Sequence, residues 1–317
     1  MTVRKKTQHK KHIPRGTHLS TDVWGMSRVS CVCVWGGFIA VWIVVVWKSW
    51  WIGLLSLTVF LVLYYLQAYF YLYTPPSRGR YWRKCYKAWV RMLLGFVAPG
   101  CLTNRVLVVY FHGNVCDVYG CWAFAKEFTR RIPVAKLAMA EYRGYGDRRG
   151  VPTEGALVAD GVSMVRWLRA TYGKIPIVLY GSSLGAGVAL QVARSLQAQG
   201  RAVDGLILEN GFTRLEDMMR RMVWPSLQWL WPLCRERWDS VACAKALHNL
   251  LPVLMLVSEN DLVVPSTMST DHLQGMLGAR CELVSFECGH NGIFQHAEHA
   301  ERAYGAIQRF LSALIQS

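Results

Sequence analysis

Ser183 stands at the centre of Gly181-Ser182-Ser183-Leu184-Gly185, a form of G-x-S-x-G. That spacing suits a nucleophile on a sharp turn from a strand into a helix. The serine needs a strained backbone and no bulk two residues away on either side, and the helix N-terminus behind it offers backbone N–H groups to an oxyanion. Five such residues recur by chance, but here the apolar run Ile177–Tyr180 precedes them and the small residues Ala186, Gly187 and Ala189 follow. A serine nucleophile also needs a base and a group that orients the base. Asp261, in Ser258-Glu259-Asn260-Asp261, and His290, in Gly289-His290-Asn291, come later in the chain, each just past an apolar run. Glu209 ends such a run too and is the competing carboxylate. Asp261 is preferred by position, which makes Ser183, Asp261 and His290 the candidate catalytic set.

Acyl transfer through a serine further requires two donors for the developing oxyanion. One is expected from the backbone N–H of Leu184, directly after the nucleophile. The other is expected from the loop His112-Gly113-Asn114, through the Asn114 N–H. His112 shapes that turn and is read as structural. His248, His272, His296 and His299 fall in helices or in an insertion, where surface or core roles suit them. No cofactor and no metal ion are expected.

These residues need a frame that brings three distant chain positions together. From residue 106 the pattern alternates between strand and helix. Strands are predicted at 106–111, 134–141, 175–180, 203–209, 252–258 and 280–286, and helices at 117–131, 153–172, 184–199, 266–277 and 297–315. Thr153 is the expected N-cap of its helix. Residues 212–251, rich in Trp, Met and Arg, break the alternation and are read as a short helical lid. Alternation of this kind implies right-handed βαβ units, a mostly parallel sheet covered by helices on both faces, and the α/β fold class. In such sheets ligands sit beyond the carboxyl ends of the strands, where every polar motif named above falls.

The rest of the chain is different in character. The formal net charge is +16, and it is unevenly spread. Residues 1–28 carry seven Lys/Arg against one Asp, and residues 74–105 carry seven Lys/Arg and no acid. The uncharged runs 29–47 and 50–73 lie between these flanks, separated by Lys48-Ser49. A helix needs about 20 apolar residues to cross a bilayer. The block 29–73 would form about 68 Å of helix, twice one crossing. The expected organisation is a basic tail (1–28), transmembrane helices (about 29–47 and 50–73), a basic amphipathic linker (74–105) and a catalytic domain (106–317). Trp47, Trp50 and Trp51 at the break and Tyr69, Tyr71 and Tyr73 at the end suit interfacial belts. Basic flanks around apolar spans point to membrane lipids as partners and away from nucleic acid. Both flanks are expected in the cytosol, with the catalytic domain facing it. The ten cysteines form no C-x-x-C pair and are read as mostly buried free thiols of a reducing compartment.

Several motifs taken together resemble a known family. Tyr110-Phe111-His112-Gly113-Asn114, Glu141-Tyr142-Arg143-Gly144-Tyr145-Gly146, Gly181-Ser182-Ser183-Leu184-Gly185, Leu208-Glu209-Asn210-Gly211-Phe212, the Asp261 segment and Cys288-Gly289-His290-Asn291 occur in order over 106–317. The chain resembles the membrane-anchored serine hydrolases of the α/β hydrolase domain-containing protein 13 type, and is similar to the depalmitoylating domain-containing protein 17 subfamily. The order nucleophile, acid, histidine is that of α/β-hydrolases. The resemblance implies an α/β-hydrolase fold, a membrane anchor, a Ser183–Asp261–His290 triad and metal-independent hydrolysis of an ester, thioester or amide. The interval before His112 is short, basic and lacks the D-G turn of the family's first strand pair, so the sheet is expected to lack its first two strands. The expected activity is a membrane-bound serine hydrolase cleaving an acyl ester or thioester of a lipid or lipidated protein. A membrane serine peptidase and a non-catalytic scaffold with a hydrolase fold are the alternatives.

Overall fold

The computed structural model describes residues 54–55, 57–59, 105–222, 231–232 and 234–316. The chain divides into two compact units, Met1–Gln67 and Ala68–Ser317. In the first, the described residues are helical, and the Thr58 hydroxyl donates to the Leu54 carbonyl one turn back. Among the described residues no helix is long and apolar enough to cross a membrane. The expected spans at 29–47 and 50–73 lie almost wholly outside those residues, as do the basic tail and nearly all of the linker.

Among the described residues the second unit is built on six strands: β1 (Val106–Phe111), β2 (Ala135–Ala140), β3 (Ile177–Ser182), β4 (Gly205–Glu209), β5 (Val253–Ser258) and β6 (Cys281–Phe286). Their order in the sheet is β2-β1-β3-β4-β5-β6, and every pairing is parallel. Parallel strands covered on both faces read as unbroken apolar runs. β1, β4 and β5 are buried along their whole length. Alternate side chains of each strand serve different cores. Leu107, Val109 and Phe111 join one apolar cluster, while Val106, Val108 and Tyr110 join the other.

Helices fill both faces. α1 (Trp122–Arg131) and α7 (Ala297–Gln316) supply Phe128, Tyr304, Ile307 and Leu311 to the second cluster. α2 (Glu154–Tyr172) and α3 (Leu184–Ala198) supply Leu157, Val165, Leu190 and Val192 to the first. Each fully buried side chain of this kind stabilises the fold by about 1.5–3 kcal/mol. Thr153 caps α2 as expected, its side chain accepting from Ala156 N–H at 3.2 Å.

Two local expectations need correction, and the segment 212–251 is described only in part. The helix predicted from residue 117 begins at Trp122, because Asp117 Oδ1 accepts the Gly120 N–H at 2.7 Å and closes a turn first. The helix predicted over 266–277 starts at residue 266, but its middle, Met268–Leu273, is π-helical before it ends in α6 (Gln274–Leu277). The segment 212–251 is helical at α4 (Leu215–Met222) and α5 (Ser240–Ala246), with irregular chain at 234–239 and residues 223–230 outside the described set.

Candidate active site

The turn at Ser183 follows from the two glycines of its motif. A Cβ at Gly181 would overlap the Gly185 carbonyl, and one at Gly185 would overlap the Phe111 carbonyl. With both absent, β3 runs straight into α3 at close quarters. Ser183 is held between them at φ 55° and ψ −115°, a strained position for a residue with a side chain. Its N–H donates to the Glu209 carbonyl at 2.8 Å and its carbonyl accepts from Ala186 N–H at 2.9 Å. The hydroxyl is thereby fixed above the carboxyl end of the sheet.

His290 lies in the loop after β6. Its Nε2 is 3.1 Å from Ser183 Oγ, and its Nδ1 is 2.6 Å from Asp261 Oδ2. A carboxylate accepts only, so Nδ1–H donates to Asp261 and Nε2 is left to accept from the serine hydroxyl. Asp261 is buried in the loop after β5, and its other oxygen accepts the N–H groups of Val263 and Val264, both at 2.8 Å. The two loops are tied by Glu259 N–H to the Phe286 carbonyl and Asn260 N–H to the Cys288 carbonyl. The three residues singled out from spacing are thus brought into one hydrogen-bonded line.

Glu209 is placed differently. It is buried at the end of β4, and Tyr180 Oη donates to its carboxylate at 2.6 Å. Burial pushes this carboxyl above the usual range, against the pull of the Tyr180 hydrogen bond. No hydrogen bond joins it to His290.

The loop after β1 runs against the nucleophile. A methyl group added at Gly113 would sit 3.5 Å from Ser183 Cβ. Leu184 opens α3, so its N–H is one of those a helix start leaves without an intrahelical partner. Asn114 is steadied through its side chain, which accepts from Tyr145 Oη at 2.8 Å. His112 is buried with its Nδ1 2.9 Å from the Gly113 carbonyl and its Nε2 3.0 Å from Glu141. Tyr142 Oη donates to the His112 carbonyl at 2.9 Å.

Two groups of residues emerge that spacing did not reveal. Glu141, Tyr142 and Tyr145 all grip the His112–Asn114 loop from the next strand end. Asn210, at a left-handed φ of 48°, donates to the His290 carbonyl at 2.7 Å and to Ser258 Oγ at 3.0 Å. It also accepts from Ser258 N–H at 2.8 Å. Both lie inside motifs quoted above, Glu141–Gly146 and Leu208–Phe212. A polar residue directly after a strand was the signal available in each case, after the half-buried β2 for Glu141 and after the buried β4 for Asn210.

Solved structures share this arrangement of strands and helices. An esterase/lipase from an uncultured bacterium superposes with a TM-score of 0.52 at 19% identity, covering 69% of this chain and 80% of that one. An esterase of Pyrococcus furiosus gives 0.53 at 15% identity, covering 67% and 82%. The chain has the α/β-hydrolase fold. Residues 103–242 match the Hydrolase_4 family, described as serine aminopeptidase, S33. Among curated proteins, the lysophosphatidylserine lipase ABHD12 of Danio rerio is 28% identical over 180 residues, 51% of this chain and 45% of that protein. Protein bem46 of Schizosaccharomyces pombe is 32% identical over 192 residues, 59% of this chain and 62% of that protein. The match therefore spans less than half the length of the ABHD12 relative.

Proposed function

We propose that this α/β-hydrolase is a membrane-bound serine hydrolase that cleaves an acyl ester or thioester of a lipid or lipidated protein through an acyl-enzyme. The observation that carries the reading is the line Ser183 Oγ, His290 Nε2, His290 Nδ1, Asp261 Oδ2 on a strained strand-to-helix turn. In this reading His290 takes the Ser183 proton as Oγ attacks the acyl carbonyl. The Leu184 and Asn114 N–H groups receive the oxyanion. His290 then protonates the departing alcohol or thiol, and water cleaves the acyl-enzyme by the same steps in reverse. Asp261 keeps Nδ1 protonated throughout and stabilises the imidazolium.

The ABHD12 relatives are named for a lysophospholipid ester, which supports a lipid acyl group as substrate. The motif resemblance to the domain-containing protein 13 and 17 subfamilies extends this to thioesters on proteins. A peptidase reading is kept because the matched family is described as serine aminopeptidase. A fluorophosphonate probe tests the reading directly. Ser183→Ala should abolish labelling, while Ser182→Ala should retain most of it. Labelling that survives Ser183→Ala would refute the assignment. Competition should come from lysophospholipids or acyl thioesters and not from peptide amides. The opposite order would favour the peptidase, and failure of the intact protein to label would favour a non-catalytic scaffold.

A further inference from the structure

The segment between β1 and α1 holds two thiols for which hydrolysis has no use. Cys116 follows Asn114 by two residues, and Cys121 is the N-cap of α1. Both are free thiols, and their sulfurs stand 3.1 Å apart. A disulfide bond is about 2.05 Å long, so closure needs roughly 1 Å of approach. The intervening turn maintains the pairing. Cys121 N–H donates to the Asp117 carbonyl at 3.1 Å, and Val118 N–H donates to Glu141 Oε2 at 3.2 Å.

The two sulfurs are not equivalent. Cys121 is buried, whereas Cys116 is only partly covered. A hydrogen bond from the Cys121 thiol lowers Cys116 to about 7, assisted by the nearby His112. Burial instead pushes Cys243 up to about 11 and Cys281 up to about 12. The thiolate is the reactive form, so Cys116 is the accessible nucleophile and Cys121 its resolving partner.

We propose that Cys116 and Cys121 are a peroxide-oxidised modification site whose disulfide restrains the loop that carries Asn114. The Cys116 thiolate attacks one oxygen of hydrogen peroxide. The O–O bond breaks, the other oxygen leaves as hydroxide and takes a proton to become water, and Cys116 becomes a sulfenic acid. The Cys121 sulfur then attacks the Cys116 sulfur, the S–OH bond breaks, and a second water departs with the Cys121 proton. Two thiols have lost two hydrogens and two electrons, and one peroxide has become two waters. A reversible bond of this kind is the form that disulfides take in a reducing compartment.

The consequence for the hydrolytic site follows from the chain between them. Val115 joins Asn114 to Cys116 and is held at φ 59°, an unfavourable value for a β-branched residue. A shift of Cys116 toward α1 would be passed through Val115 to Asn114, whose N–H is the proposed oxyanion donor next to Gly113, the residue that lies against Ser183. Turnover falls in the oxidised form. This consequence rests on the proposed hydrolase activity, whereas the bond itself does not.

The full-length protein in its membrane or detergent would be treated with hydrogen peroxide, alkylated, digested and analysed by mass, alongside fluorophosphonate labelling rates. A Cys116–Cys121 linked peptide should appear, labelling should slow several-fold, and dithiothreitol should reverse both. Cys116→Ser should remove the bond and the peroxide effect on labelling. Cys121→Ser should leave a Cys116 sulfenic acid that a cyclic 1,3-diketone captures. Oxidation confined to other cysteines, or no sulfenic acid in Cys121→Ser, would overturn the site. A linked peptide with unchanged labelling would overturn the coupling to the loop. A reduced protein that never labels would count against the hydrolase reading alone, since the peptide mass still decides whether the pair forms.

Discussion

Two carboxyls end strands beside His290, and their surroundings separate them. Asp261 has its side chain aligned by two N–H groups of its own loop and stands 2.6 Å from the imidazole. Glu209 is buried and takes the Tyr180 hydroxyl as a donor at 2.6 Å. Asp261→Asn should lower turnover by about 10⁴, the order expected when an orienting carboxylate is lost. Glu209→Gln should keep turnover within about tenfold, and the reverse ranking in kcat/KM would reassign the acid. Glu209 also makes a prediction for stability. Burial raises its carboxyl above the ordinary value of 4.5, so the folded state holds that proton more tightly than the unfolded chain. The resulting stabilisation is complete below the unfolded value and is lost as pH rises through the folded one. Glu209→Gln removes this loss. Its Tm should exceed that of the parent at neutral pH, with the gain shrinking as the pH falls toward about 4.5 and gone below it. An equal Tm difference at both pH values would show that ionisation of Glu209 is not its source.

The elements were legible where one pattern dominates. Val106–Phe111 and Val253–Ser258 have no polar position until their ends, and a strand buried on both faces is the economical reading. The grip of Glu141 on His112 was not legible, nor was that of Asn210 on the His290 carbonyl. Such bonds join polar residues far apart in sequence and leave no period behind. The segment 212–251 shows the same limit for apolar residues. Trp224, Trp229, Trp231 and Trp238 look alike as a set, yet they are not one lid surface. Trp238 is fully buried, with Gly187 and Phe212 near it on the α3 side of the core. Trp231 is partly packed on that core, under the guanidinium of Arg237 at 5.1 Å. Trp224 and Trp229 lie outside the described residues. Trp238→Ala should therefore cost about 3–5 kcal/mol, read by denaturant unfolding, as core aromatics do. Shortening the chain between α4 and Trp231 should instead leave stability nearly intact and change acyl chain-length preference, since long connections in compact domains are often functional. A shortened protein with the parent's preference for short over long chains would remove the lid from the account.

At the scale of the whole molecule the charge distribution points to topology. Residues 106–317 carry 21 basic and 19 acidic side chains, so the strong basicity lies outside the hydrolase fold. It is concentrated on both sides of the uncharged runs 29–47 and 50–73. Orientation in a bilayer follows Lys and Arg within about 15–20 residues of each span end, with acids counting little. Arg28 abuts the first run, and Arg78, Arg80, Arg83, Lys84, Lys87 and Arg91 follow the second, whereas Lys48 stands alone between them. A single crossing would place one strongly basic flank on the far side. A helical hairpin would keep both flanks in the cytosol and export Lys48 only, with Trp47, Trp50 and Trp51 placed to hold its tip in the interface. In that arrangement the active site would face the cytosol, where reduced thiols such as Cys116 and Cys121 are maintained. In intact vesicles with the cytosolic face outward, added protease should cut both the N-terminal tail and the hydrolase domain, and detergent should expose nothing further. If the tail is cut while the hydrolase domain stays protected until detergent is added, the hairpin is excluded and the hydrolase domain lies across the membrane.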